Sequence, residues 1–153
     1  MDNRAVSVTV SYIITLIIAT LLIGGILMAA GGLIESQSNT ATIDEFDVIG
    51  EKLAANIMSA DRTVSVALED AESTGYEDFE IGIKSTVPRQ VSGSNYHIII
   101  DWDNESIQLV TLNTDIAVDV SFKVRHGPSG TTTISPGNIE ITFDGDQLEV
   151  SNS

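Results

Sequence analysis

The feature that most constrains the fold of this chain is a long uncharged segment near its amino terminus. No charged residue occurs from Ala5 to Ile34, and most of the side chains there are apolar. About 20 apolar residues in a helix cross the hydrocarbon core of a bilayer, whereas a cleavable secretory signal has an apolar region of about 7–15. The sequence therefore predicts a transmembrane helix over residues 6–34. Cleavage by a signal peptidase at the small residues 29–32 is the alternative.

The charged residues lie almost entirely after this segment. Of 22 acidic and 7 basic residues, only Asp2 and Arg4 precede Glu35, so the net charge of -15 belongs to the part that follows. An acidic surface of this kind repels phosphates, and we expect no nucleic-acid partner. The composition resembles that of proteins from halophilic archaea. Cysteine is absent, which excludes disulfides and thiol chemistry.

The flanking charges also predict an orientation in the cell membrane. Arg4 precedes the apolar segment and Glu35 follows it. Because positive residues favour the cytoplasmic side, we expect a single-pass topology with a cytoplasmic amino terminus and an extracellular carboxy-terminal domain.

The apolar segment carries small residues at four-residue spacing, followed by a glycine pair. They are Ser7, Ser11, Thr15, Ala19, Gly24 and Gly25. Four-residue spacing places side chains along one helix face, and small residues let helices approach closely in an apolar medium. We interpret them as helix-packing residues. The alternative is that the hydroxyl groups bond back to their own helical turn and that glycine is simply common in membrane helices.

A second helical pattern follows over residues 35–74. Apolar residues recur there at steps of three and four, which is typical of an amphipathic helix. They are Ile43, Phe46, Ile49, Leu53, Ile57, Ala60, Val64, Leu68 and Ala71. The opposite face is predicted to carry charged residues, Asp61 among them. A break near Ser38 is an alternative to one continuous helix, and Gly75 marks the predicted end.

From residue 75 to 153 the apolar period changes to two, which predicts half-buried strands. The alternating runs begin at Phe79, Ile107, Ile116, Ile139 and Leu148, and the run from Ile116 extends to Val124. The Asp144-Gly145 pair predicts a hairpin. We expect an α+β fold, in which a long amino-terminal helix packs on six or seven antiparallel strands in a small sheet or sandwich. The amphipathic stripe of residues 43–71 covers one face of that sheet.

The predicted β-rich part, residues 75–153, which we call the head, offers few residues for catalysis or metal binding. His97 and His126 are isolated, and neither has a metal-ligand spacing. We expect both to be exposed strand residues, and we expect no enzymatic activity, no metal and no cofactor. The carboxylates near Asp101 are interpreted as a solvated surface, with calcium binding as the alternative. Asn104-Glu105-Ser106 is the only sequon, so Asn104 is a candidate for glycosylation of an exported chain.

The amino-terminal residues Asn3-Arg4-Ala5-Val6-Ser7, followed at once by the apolar helix, resemble those of haloarchaeal type IV pilin-like proteins. The resemblance implies a leader of residues 1–5, with Arg4 as its basic residue, cut between Ala5 and Val6 by a prepilin peptidase. It also implies that residues 6–34 move from lipid into a filament core. A helix joined to a β-rich head is likewise similar to archaeal pilins and archaellins. Val10 departs from the glutamate of many bacterial-type pilins.

Two functions are therefore expected from the sequence. The first is a type IV pilin-like subunit of an archaeal surface filament, serving adhesion or surface attachment. Its partners would be membrane lipid, prepilin peptidase and homologous pilin subunits. The alternative is a single-pass membrane-anchored surface protein that does not polymerise and presents an adhesion or assembly-platform β domain.

Overall fold

A computed structural model describes the backbone of residues 3–74 and 81–153, and the side chains of residues 10–70 and 81–153. The chain forms two compact units, Met1–Asn39 and Thr40–Ser153, which we describe one at a time. The predicted helix end at Gly75 and the predicted strand start at Phe79 lie outside the described residues, as does the side chain of Ala71 in the predicted helix stripe.

One α-helix, α1, spans Asn3–Thr74. All three prolines of the chain occur after it, so no residue of α1 lacks a backbone N–H. The break considered near Ser38 is not observed. The described residues of the first unit all belong to α1. Their side chains are exposed from residue 10 to residue 39.

The second unit contains the remainder of α1 and eight strands. The strands are β1 (Ile81–Thr86), β2 (Gln90–Val91), β3 (Ser94–Asp101), β4 (Ser106–Thr111), β5 (Ala117–Ser121), β6 (Thr131–Ile134), β7 (Asn138–Phe143) and β8 (Leu148–Asn152). They form a three-stranded sheet in the order β1-β7-β8 and a five-stranded sheet in the order β2-β3-β4-β5, in which β6 pairs with β3. All these pairings are antiparallel. The predicted α+β fold is confirmed.

The registers explain which side chains meet in the core. Ile83 pairs with Ile141 in the first sheet, and Ile98 pairs with Leu109 in the second. Alternate residues of a strand point to the same face, so each such pair places two apolar side chains side by side. The buried residues of β3 and β4 alternate with partly exposed ones, as the period of two predicts.

One face of α1 completes this core. Its residues Phe46, Ile49, Leu53, Ile57, Ala60 and Val64 are buried in one cluster with residues of both sheets. Burial of a large apolar side chain contributes about 1.5–3 kcal/mol, so this face stabilises the head substantially. Leu68 packs against the cluster and is only partly buried.

Three details of the predicted helix face are wrong. Ile43 is 41% exposed, and it lies outside the core. Ala54 is buried beside Leu53, which the three-and-four spacing did not include. Asp61, predicted on the solvated face, is also buried, because it bonds to a loop of the head.

The strand predicted from Ile116 to Val124 is shorter than expected. It spans Ala117–Ser121, and its last ladder residue, Ser121, pairs with Ser106, the first residue of β4 after the turn at Glu105. The short strands β2 and β6 were not predicted individually, because β2 has only two residues and β6 has a single apolar residue, Ile134.

Candidate membrane and assembly helix

The main candidate for a functional feature is the apolar surface of α1 in the first unit. Every large apolar side chain described between residues 10 and 34 is exposed, from 49% for Val10 to 85% for Met28. In the described part of the chain, α1 is the one helix long and apolar enough to cross a membrane. A surface of this size needs lipid or other protein as its neighbour, because water solvates it poorly.

The predicted stripe of small residues is exposed on this helix. Ser11, Thr15 and Ala19 lie one turn apart on the surface. The Thr15 hydroxyl donates to the carbonyl oxygen of Ser11 at 2.9 Å, and the Thr20 hydroxyl donates to that of Leu16 at 2.8 Å. The back-bonding considered from the sequence is therefore present for Thr15.

The amino-terminal members of the predicted set are only partly described. Arg4, Ala5, Val6 and Ser7 have helical backbones, but their side chains lie outside the described residues.

The glycines of the apolar segment are open on all sides. A Cβ atom placed on Gly24 or Gly25 would meet no described atom within 4 Å, and the same is true of Gly31 and Gly32. No contact within the described chain therefore requires glycine at these positions. Gly50 differs, because a Cβ there would lie 2.6 Å from Cγ2 of Val120 on β5. Gly50 allows α1 and β5 to pack closely.

In the head, Asp61 holds the loop between β5 and β6 against α1. Its Oδ1 atom accepts hydrogen bonds from the backbone N–H groups of Arg125 and His126, each at 3.0 Å. The same atom lies 2.9 Å from Nδ1 of His126. The prediction of His126 as an exposed strand residue is wrong, since it lies in the loop with a side chain only 23% exposed.

A signal for Asp61 was present in the sequence. It follows Ile57 by four residues and precedes Val64 by three, so it shares their helix face. An acidic residue within an apolar stripe indicates a buried carboxylate with a specific partner. Its partner could not be found from the sequence, because His126 is 65 residues away.

Beside this loop, basic side chains gather around a groove between α1 and the head. Arg62 comes from the helix, and Lys123 and Arg125 come from the loop. Met58 and Ser65 line the groove as well. We call this surface the cationic groove. It contains three of the seven lysine and arginine residues of a chain whose net charge is -15.

The sequon residue Asn104 is exposed in the turn between β3 and β4. Its side-chain amide donates to Oδ2 of Asp101 at 2.8 Å, and its backbone N–H donates to Oδ1 at 2.9 Å. These bonds, the side-chain one first, lower the pKa of Asp101. Asp144 likewise accepts backbone N–H bonds from Gln147 and Asp146, which lower its pKa.

The other residues considered for catalysis or metal binding are not brought together in the described part of the chain. His97 lies on β3 opposite Val110. Across the described residues, no three histidine or carboxylate side chains are grouped so that they could hold a metal ion. Asp101 and Asp144 instead stabilise their own turns through the hydrogen bonds described above.

Comparison with known proteins gives one match. The chain belongs to the family described as "Family of unknown function (DUF7266)", whose sequence profile matches residues 1–151. No curated protein and no solved structure matches the chain.

Proposed function

We propose that this chain is a type IV pilin-like subunit of an archaeal cell-surface filament, which assembles through the apolar part of α1. The observation that carries the proposal is the exposed apolar surface of residues 10–34, joined in one chain to a head with its own core. The residues Asn3 to Ser7, which resemble a prepilin peptidase site, support the same class.

The energetics limit what can surround this surface. About twenty apolar side chains, each worth roughly 1.5–3 kcal/mol on removal from water, amount to tens of kcal/mol. The helix therefore stays in lipid until sister helices replace the lipid contacts almost completely. A filament core made of such helices meets this requirement, and assembly becomes an exchange of one apolar environment for another.

The glycines that meet no other part of the chain support the proposal that the helix packs against another molecule. Glycine within a helix is destabilising by about 1 kcal/mol relative to alanine. Gly24 and Gly25 meet no described atom that would explain them. Close approach by a helix of another copy would explain them, because small residues allow backbones to pack closely in an apolar medium.

In this proposal the amino terminus is first cytoplasmic and the acidic head faces the outside of the cell. The five-residue leader is removed between Ala5 and Val6, and the mature helix then bundles with those of homologous subunits. The filament would serve adhesion or surface attachment, and the acidic, cysteine-free head suits a salty extracellular medium.

The second candidate is a single-pass surface protein that keeps α1 in the membrane and never polymerises. The exposed apolar surface fits this function equally well, and the head would then act alone in adhesion or as an assembly platform. The two candidates differ in whether α1 has sister helices as neighbours.

The deciding experiment is the intact mass of the native protein from cells with and without the prepilin peptidase, together with electron microscopy of purified surface filaments. We expect loss of Met1 to Ala5 only where the peptidase is present, and labelled protein along the filaments. An unprocessed chain, or one that begins near Gly31, would overturn the pilin-like class.

A matched pair of variants tests the stripe. Thr15 and Thr20 are both exposed and both bond back to their own turn, but only Thr15 lies on the stripe with Ser11 and Ala19. Thr15→Leu, alone or with Ser7→Leu and Ser11→Leu, should impair assembly and leave membrane insertion intact, whereas Thr20→Leu should change assembly less. Equal assembly of all variants would show that the stripe has no packing role.

A further inference from the structure

The cationic groove brings three lysine or arginine side chains together around one cleft. Arg62, Lys123 and Arg125 are all exposed. Among the described residues, none of the three forms an ion pair. Lys84, in contrast, lies 3.4 Å from the carboxylate of Glu140. The charge of the groove is therefore available to a partner.

The groove is also held in a fixed form. Met58, Asp61, Arg62 and Ser65 are on α1, so helical geometry sets their positions. The loop that supplies Lys123 and Arg125 is held by Asp61, which accepts hydrogen bonds from two of its backbone N–H groups. A preorganised site loses less conformational entropy on binding. The buried Asp61 thus prepares the groove in addition to stabilising the head.

A complementary surface occurs on the same helix, nearer the amino terminus. Asp44, Asp47 and Glu51 follow one another at steps of three and four, so they lie on one face, and all three are exposed. We call them the acidic stripe. Val48 lies among them and is 65% exposed. Within the described residues none of these carboxylates forms an ion pair or accepts a hydrogen bond.

Other carboxylates of the head are already engaged. Asp101 accepts hydrogen bonds from Asn104, Asp119 from Gln108, and Asp144 from two backbone N–H groups. The acidic stripe therefore differs from them in having three unengaged carboxylates on one rigid helix face.

We propose that the cationic groove of one copy binds the acidic stripe of a second copy of this chain. Arginine forms paired hydrogen bonds with carboxylates, so Arg62 and Arg125 fit Asp47 and its neighbours. Val48 would pack near Met58, which removes apolar surface from water. The groove and the stripe are separate surfaces, so the contact is heterologous and can repeat from copy to copy.

This contact rests on the proposed function, because it supplies the head-to-head contact between neighbouring subunits. Charge complementarity argues for a second copy. A chain with 22 acidic and 7 basic residues repels its copies unless its few basic groups meet carboxylates directly. Charge pairs that become buried between two copies are screened by salt much less than exposed pairs.

The test is cross-linking between copies in intact cell envelopes, since the chain has no native cysteine. Cells express two tagged full-length forms, one with Val48→Cys in the stripe and one with Ser65→Cys in the groove, so all charges are retained. Mild oxidation with copper phenanthroline and oxygen should give a disulfide-linked dimer carrying both tags. The control pairs Val48→Cys with Leu112→Cys, an exposed residue that does not line the groove.

Charge reversal then tests recognition. Arg62→Glu in the groove copy should lower the dimer yield roughly tenfold, and Asp47→Arg in the stripe copy should restore much of it. A dimer yield no higher than that of the control pair, or one unaffected by Arg62→Glu, would overturn the contact. Inorganic phosphate bound in the groove without any cross-link would identify a small-anion site and would also overturn it.

The two proposals can fail separately. Filaments that contain the protein but give no Val48–Ser65 cross-link would overturn the docking contact and leave the filament function standing. Cross-linked copies in cells that form no filaments would support the contact and contradict the filament function.

Discussion

The Oδ1 atom of Asp61 lies 2.9 Å from Nδ1 of His126, and both side chains are largely withdrawn from solvent. Because an ionised carboxylate only accepts hydrogen bonds, Nδ1 is assigned as a donor to Asp61, alongside the backbone N–H groups of Arg125 and His126. One carboxylate oxygen of α1 thus binds three groups of a loop that is distant in sequence. His126 also meets Phe143 edge-on, with ring centroids 6.2 Å apart, which extends the contact to β7.

Asp61→Ala should lower the free energy of unfolding of the head by about 2–4 kcal/mol. The change leaves the loop N–H groups without their buried acceptor, and such loss is costly. Asp61→Asn should cost less, since its amide oxygen can still accept. Denaturant unfolding of the full chain in detergent, followed by the fluorescence of the buried Trp102, measures the effect. The control is Thr63→Ala on the exposed face, and equal stability of Asp61→Ala and this control would contradict the anchoring role.

Gly50→Ala should destabilise the head by about 1–3 kcal/mol, because the new Cβ would lie 2.6 Å from Cγ2 of Val120. Alanine otherwise favours a helix over glycine, so a loss of stability has to come from this contact. Val120→Ala in the same chain should restore part of the loss by removing the methyl groups. Gly24→Ala, where a Cβ meets no described atom, is the matched control. A more stable Gly50→Ala protein would show that α1 and β5 separate easily.

Stability should fall at alkaline pH because of Tyr96. Burial, and secondarily the negative charge of Glu45, raise the pKa of Tyr96 from 10.0 to about 12. Below pH 10 the tyrosine is protonated in the folded and unfolded states, so its contribution to the free energy of unfolding does not change with pH. Between pH 10 and about 12 the unfolded state loses the proton first, and the free energy of unfolding should drop by roughly 2 kcal/mol.

Tyr96→Phe isolates that effect. The variant lacks the hydroxyl that donates to the Pro88 carbonyl, so it should be less stable near neutral pH by about 1 kcal/mol. As the pH rises from 10 to 12, the wild type should lose its advantage in unfolding free energy and then become less stable than the variant. A difference that stays constant over this range would rule out a raised pKa for Tyr96.

Asn104 should carry added mass in the exported protein, and Asn104→Gln should remove it. The residue lies exposed in its turn, and it belongs to the only sequon of the chain. Ser106→Ala should remove the same mass while retaining the bond from Asn104 to Asp101. Intact mass spectrometry of all three proteins gives the answer. Identical masses, apart from the substitutions, would exclude glycosylation at this site.

Much of the fold was predictable because it follows from the apolar pattern. The step of three and four residues identified Phe46, Ile57 and Val64 as core, and the period of two identified strands such as β4 and β7. These patterns report which face of an element is buried, and burial dominates folding. The long helix with an antiparallel β head could therefore be predicted from the sequence.

The remaining features depend on contacts between distant residues. Ile43 has the spacing of a core residue but is 41% exposed. Asp61 has the character of a surface residue, but a loop 65 residues away supplies its partners. The cationic groove likewise joins Arg62 to Lys123 and Arg125 only through tertiary folding. Periodicity within one segment contains no information on such pairings.

The hydroxyl groups of Thr15 and Thr20, which donate to carbonyl oxygens of their own helix, bear on how the helix could move from lipid into a protein environment. Each hydroxyl already donates its hydrogen bond to the carbonyl oxygen four residues earlier. The threonine side chain therefore presents chiefly its methyl group to neighbouring molecules. A helix of this kind can exchange fatty acyl chains for protein, and return, without breaking a polar bond at either residue. In the proposed assembly, packing and not these two hydroxyl groups would govern the exchange of lipid for sister helices.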